Sequence, residues 1–293
     1  MPALPPTLRP LLIFGLLALL TVALGCWVCA LSDVSTASWV RNLIAWGVGL
    51  AAAGGLAATG GRRPGLILLG LAVVVLGGSL VGVPQQGVHR WLDIGPLHIN
   101  VAFVVLPMAV VALAWNRDRL SAWGLALAGL ALLVVQPDAS QATAFGLALV
   151  VVAVRAPVTV GLRIGTIAIA TALVVASWLR PDPLAPVPEV EEIVGLAYAV
   201  MPLLAVLAVA LIATTALVPA LVTRSSRPDI RIGGAALSVY CLATVGTTVF
   251  GAFPMPLLGI GMSPILGFWL GVGLLAAWIR RESRPAANPA SGS

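Results

Sequence analysis

Residues 11–31 read LLIFGLLALLTVALGCWVCAL, an uncharged run with Arg9 before it and Asp33 just after it. A helix needs about 20 apolar residues to cross a bilayer core of about 30 Å, so this stretch alone makes a membrane span. Cutting the rest of the chain at its charges, prolines and polar breaks gives nine more such runs: 39–59, 65–83, 98–115, 121–135, 142–155, 158–178, 193–222, 232–253 and 255–279. Of the 293 residues 60% are apolar and 9% charged, and the mean hydropathy is +1.08. Soluble domains run nearer 45–50% apolar and about 25% charged. A water-facing globule, a disordered chain and a secreted disulfide scaffold are excluded. The expectation is an all-α polytopic membrane protein of about ten transmembrane helices.

The charges orient it. All sixteen basic residues are Arg. Assigning loops alternately from an inside N-terminus puts thirteen of them inside, at 9, 62, 63, 117, 119, 155, 163, 224, 227, 231, 280, 281 and 284, with only Asp118, Asp229 and Glu282. The outside keeps Arg41, Arg90 and Arg180 with seven acids. Cytoplasmic loops carry the Arg excess, so both termini are expected in the cytoplasm. Dividing the positive charge among short loops leaves no basic face for nucleic acid.

Residues 1–25 have the outline of a signal peptide, but the apolar run continues through Trp27, Val28 and Cys29 without a small-polar break, so the first helix is expected to be retained. Cys26 and Cys29 make a C-x-x-C on an apolar helix without further Cys or His, and with Cys241 they read as small buried hydrophobes. Gly78/Gly82, Gly161/Gly165 and Gly267/Gly271 have the small-xxx-small spacing that lets helices approach closely in lipid. Residues 1–282 are expected to form one transmembrane domain, and 283–293, rich in Ser, Pro and Ala, a disordered cytoplasmic tail.

Three outward segments break the apolar pattern: 87–95, Gln136-Pro137-Asp138, and the acidic stretch 178–192. Lying on one side, they are placed to converge over one cavity. Arg90 beside Trp91 suits a phosphate, because a guanidinium gives two parallel hydrogen bonds; the alternative is an ion pair with Asp93 while Trp91 anchors the interface. His89 and His98 are isolated and make a weak metal pattern. Asp138 reads as an N-cap. Asp182, Glu189, Glu191 and Glu192 crowd one stretch, and crowding raises carboxylate pKa values, which suits a general base or a divalent cation such as Mg or Mn. The other reading is a solvated loop whose glutamates favour the first turn of a helix.

These residues resemble the SEDS family (shape, elongation, division and sporulation) of the RodA and FtsW type. The family loop G-A-x-R-W-I-x-L-G is similar to Gly87-Val88-His89-Arg90-Trp91-Leu92-Asp93-Ile94-Gly95, and its Q-P-D-L-G-T-A to Gln136-Pro137-Asp138-Ala139-Ser140-Gln141-Ala142. A Pro- and Gly-rich run, Gly251-Ala252-Phe253-Pro254 through Gly259 and Pro264, is similar in character to the one between the last two helices of that family. The resemblance implies a SEDS-like fold in the bacterial cytoplasmic membrane. It also implies polymerisation of lipid II into glycan strands beside a class B penicillin-binding protein or another membrane protein of division or elongation. Arg90, Trp91 and Asp138 are then the substrate-binding candidates, with Arg90 on the pyrophosphate.

The chain departs from the family pattern in four places. Q-P-S-E-x-x-K is replaced from Asn100, with Leu106 at the Lys. P-E-x-H-T-D-F, which carries the catalytic Asp, becomes Pro188-Glu189-Val190-Glu191-Glu192-Ile193, with Ile193 at the Asp. The long outer loop before it shrinks to about a dozen residues, and S-Y-G-G-S gives way to Leu266-Gly267-Phe268-Trp269. Glu192, or else Glu191 or Asp182, is the expected base. Other expectations are a catalytically inactive scaffold or lipid-binding subunit and, third, a lipid or solute transporter, against which stands the scarcity of charge within the helices.

Overall fold

The computed structural model describes residues 8–59, 65–95 and 97–282. Its elements are α1 (Leu8–Leu31), α2 (Thr36–Thr59), α3 (Gly65–Ser79), β1 (Trp91–Ile94), β2 (Leu97–Asn100), α4 (Val101–Trp115), α5 (Leu120–Val135), α6 (Ala139–Arg155), α7 (Val160–Trp178), α8 (Pro188–Glu191), α9 (Ile193–Val200), α10 (Pro202–Leu217, extended by a 3₁₀ segment Val218–Arg224), α11 (Pro228–Thr247) and α12 (Met262–Glu282). Six described helices are long and apolar enough to cross a membrane alone, and α3, α4, α5 and α6 are shorter apolar helices. With α9 and α10 counted as one interrupted crossing, the bundle matches the ten-span expectation.

Capping and proline chemistry explain most of the boundaries. Asn100 accepts from the Phe103 amide and starts α4, Asp138 accepts from the Gln141 amide and starts α6, and Thr159 starts α7 in the same way. Each satisfies an amide that the first helical turn leaves unpaired. Pro202 has no N–H, so the expected helix 193–222 stops at Met201 and restarts as α10. The expected helix 65–83 ends at Ser79, and the one expected from residue 98 begins at Val101 because residues 97–100 form a strand.

The largest difference lies between α11 and α12. The expected helices 232–253 and 255–279 became α11 and α12, separated by a non-helical stretch 248–261. Phe253, Met255, Leu257 and Leu258 in it are buried. Pro254 and Pro256 prevent a helical ladder there, and irregular backbone at membrane depth survives only where protein covers it. Asn42 on α2 supplies part of the cover: its amide donates to the Gly259 carbonyl at 2.8 Å and its oxygen accepts from the Gly261 amide at 3.0 Å.

Helix α12 is the buried centre, packed against α2 and α4, while α11 packs on α6 and α4. Gly267 and Gly271 face α4 so closely that an added Cβ would meet the Phe103 carbonyl and the Pro107 ring. Gly161 and Gly165 on α7 face open space instead. The residues 283–293, for which a disordered tail is expected, lie outside the described residues, as do Arg62, Arg63 and Arg284.

Candidate functional site: an arginine between two carboxylates

The three outer segments do meet. Arg90 immediately precedes β1, and its main chain is fixed before its side chain is considered: its carbonyl accepts from the Val101 amide at 3.1 Å, and the neighbouring His89 carbonyl accepts from the Ser79 hydroxyl at 3.0 Å. Ser79 in turn accepts from Gln136, which also donates to the Leu76 carbonyl, so the ends of α3 and α5 are stitched beneath the loop. Arg90 is 3% exposed. Its guanidinium donates to the Pro137 carbonyl and, at 2.6 Å, to Asp182 Oδ2, while its Nε stands 3.6 Å from Asp138 Oδ2. Asp93 does not partner it; that carboxylate pairs with His98 across the strands.

The two carboxylates are held differently. Asp138 is buried, accepts from the Gln141 amide at 3.1 Å through Oδ1, and lies above a buried pair in which the Tyr240 hydroxyl donates to Gln141. Burial pushes its pKa up from the ordinary value of 3.8, opposed by Arg90 and the Gln141 amide. Asp182 shows 25% of its side chain. It lines a cleft of about 210 Å³ with Pro137, Ala139, Trp178, Arg180 and Phe253. Trp178 forms one wall, fixed by a 2.8 Å hydrogen bond to the Thr143 hydroxyl and by edge-on contact with Phe253 at 5.6 Å.

The glutamates sit on a separate element. Helix α8 is anchored through its backbone to the buried stretch between α11 and α12: Met255 N donates to the Val190 carbonyl at 3.0 Å and Ile260 N to the Glu189 carbonyl at 2.8 Å. Glu191 accepts from the Val187 amide at 2.7 Å, and its pKa is raised by burial and by Glu189 and Glu192, with the Val187 amide opposing. Glu192 is exposed at the α8–α9 junction and caps no amide. Ile193 is 1% exposed and packed in the core. Trp91 stacks on His98 at 5.2 Å between centroids.

Arg180 is the site residue to which the sequence assigned no role. It is exposed on the cleft and makes no ion pair among the described residues, which leaves its charge available to an anion. Its only signal in the chain was position, as the one cation in an acidic outer stretch. A divalent cation has no open place between Asp138 and Asp182. These two carboxylates share Arg90, whose guanidinium takes the place between them, and no group of three or more His, Cys, Asp or Glu is gathered among the described residues.

No protein-family model matches the chain, and no curated protein does. Solved structures do. The rod shape determining protein RodA of Thermus thermophilus aligns with a TM-score of 0.61 and 22% identity over 93% of this chain and 97% of that one. An aspartate-to-alanine variant of the same protein gives 0.63 and 21% over 93% and 98%. A chain from a study of the structural coordination of polymerization and crosslinking by a peptidoglycan synthase complex gives 0.60 and 20% over 92% and 97%. At these identities the likeness is one of fold: this chain has the RodA architecture across nearly its whole length, and the SEDS resemblance read from its loops is matched by its three-dimensional form.

Proposed function

We propose that this chain is a SEDS-type membrane protein of peptidoglycan synthesis, acting at the outer face of a bacterial cytoplasmic membrane as a glycosyltransferase on lipid II. The observation that carries the reading is the Arg90–Asp182 contact of 2.6 Å, which brings the acidic outer stretch to the two loops already joined by Arg90 and Pro137 beside one cleft. Asp182 is the base in this reading: Arg90 holds its Oδ2 at 2.6 Å, and its exposed edge faces the cleft. It takes the proton from an acceptor sugar hydroxyl, whose oxygen attacks the anomeric carbon of a second lipid-linked sugar. The bond from that carbon to the pyrophosphate oxygen breaks, and the departing pyrophosphate lipid carries away the electron pair. Arg180 is the cation placed to stabilise that charge, with Arg90 positioning the base and Asp138 and Trp91 supporting Arg90. A class B penicillin-binding protein is the expected neighbour.

One observation favours a non-catalytic reading, a scaffold or lipid-binding subunit: the position of the family's catalytic Asp holds Ile193, buried in the core. The test is polymerisation of labelled lipid II by the purified protein with a class B penicillin-binding partner whose transpeptidase is blocked. Glycan strands that vanish with Asp182→Asn and persist with Glu192→Gln support the proposal. Strands lost only with Glu192→Gln move the base to α8. No strands from the wild type, beside lipid II binding that depends on Arg90 and Arg180, establish the non-catalytic reading.

A further inference from the structure

The hairpin β1–β2 is amphipathic to a degree that its role in placing Arg90 does not explain. Its register pairs Trp91 with Asn100, Leu92 with Ile99, Asp93 with His98 and Ile94 with Leu97. Side chains alternate between the two faces of a strand, so Trp91, Asp93, His98 and Asn100 share one face and Leu92, Ile94, Leu97 and Ile99 the other. The polar face is paired within the hairpin and is open at its tip: Trp91 stacks on His98, and His98 pairs with Asp93, their side chains being 41% and 58% exposed. The apolar face is open at the tip, with Ile94 60% and Leu97 41% exposed, while Leu92 at its base packs against the core.

That face continues into the segment leaving α3. Gly82 lies against Leu92, and its neighbours Val81 and Val83 are 90% and 79% exposed. Ile67, Leu71 and Val74 carry the same open apolar surface along α3 itself. Helix α3 has 15 residues, which at about 1.5 Å each spans about 22 Å, short of a hydrocarbon core of about 30 Å. The rest of the distance falls to the turn that follows, where Leu80, Val81 and Gly82 donate to the Gly77, Gly78 and Ser79 carbonyls, and residues 80–83 are apolar or glycine.

From this continuity we infer that the β1–β2 hairpin lies in the outer leaflet, with Ile94 and Leu97 turned to the acyl chains just below the headgroups and Asp93 and His98 toward the headgroup layer. Its partner is the lipid surface, as for in-plane amphipathic elements, and Trp91 on its first residue sits at the level aromatic belts prefer. The hairpin then sets the depth of Arg90, one residue upstream, at the headgroup layer. The inference concerns seating in the membrane and stands or falls independently of the catalytic reading.

The test is spin labelling of single cysteine variants of the full chain in phosphatidylethanolamine–phosphatidylglycerol vesicles, the three native cysteines being buried. Ile94→Cys and Val81→Cys are compared with Val74→Cys on the lipid face of α3 and Ser35→Cys in the outer α1–α2 loop. Collision rates with dissolved oxygen and with a water-soluble nickel chelate are read at each site. The expected result is an oxygen-to-nickel ratio at Ile94 and Val81 close to that at Val74 and severalfold above that at Ser35. A ratio at Ile94 like that at Ser35 overturns the inference by placing the hairpin in water. Shielding from both reagents overturns it too, by showing the face covered by protein.

Discussion

Arg90 stands between two carboxylates of unequal exposure, and that inequality divides their work. Asp138 is sealed in and caps α6; Asp182 has an edge in the cleft. Removing one member of a buried ion pair costs about 3–5 kcal/mol, so Arg90→Ala is expected to lower the thermal midpoint in detergent sharply. Adding Asp138→Asn should recover part of the loss, since a buried amide needs no cation; strictly additive losses in the double-mutant cycle would show the two groups uncoupled. The pH dependence has a defined sign. Burial raises Asp138 above 3.8, so in the window above that value the folded state holds a proton the unfolded state has released. Stability from this group is complete below 3.8 and is lost as the pH rises through the raised value. Melting curves across that window should fall more steeply for the wild type than for Asp138→Asn, and parallel curves would refute the assignment. Arg90 and Asp138 were legible in the chain because local motifs mark them. Asp182 could not be ranked above Glu191 and Glu192, because its contact with Arg90 spans 92 positions and exists only once the bundle has formed.

At the scale of elements, the same sequence signal meets two different fates. Three small-xxx-small pairs looked alike in the chain, yet Gly267 and Gly271 are pressed onto α4 while Gly161 and Gly165 face nothing. Spacing states that a face is small and is silent on whether a helix lies against it. Gly267→Ala should therefore abolish accumulation of folded protein, as its Cβ would run into the backbone of Phe103 and Val104. Gly165→Ala should be neutral or stabilising by up to about 1 kcal/mol, the helix-propensity gain over Gly. Equal loss of folded yield from both would mean that α7 is covered. The stretch 248–261 escaped detection for a related reason: it is as apolar as a helix, and hydropathy does not register that its backbone has left the helical ladder. Its hold on α2 is testable in Asn42→Ala, which strips partners from the Gly259 carbonyl and the Gly261 amide at about 1–3 kcal/mol for each buried group left unpaired. A thermal midpoint unchanged from wild type would show that the clamp contributes nothing.

For the molecule as a whole, charge gives the expected orientation, and contact shows that the segments it groups together do share one side. The Arg-poor segments assigned outside are the ones that meet at Arg90, and three loops joined by ion pairs and hydrogen bonds must lie on one side of the bilayer. Contact puts the three loops on one side and charge names that side, so the α7–α8 loop is expected outside and the α10–α11 connection, with Arg224 and Arg227, inside. Ala185→Cys in the first and Thr223→Cys at the end of the 3₁₀ extension of α10 are both exposed positions, whereas Cys26, Cys29 and Cys241 are buried and give little background. A membrane-impermeant maleimide applied to intact spheroplasts should label Ala185→Cys at once and Thr223→Cys only after lysis. The reverse order would invert the bundle and put the Arg90 cleft in the cytoplasm, out of reach of a headgroup on the outer leaflet. Labelling of both before lysis would mean that the α9–α10 interruption at Met201–Pro202 separates two half-crossings instead of continuing one.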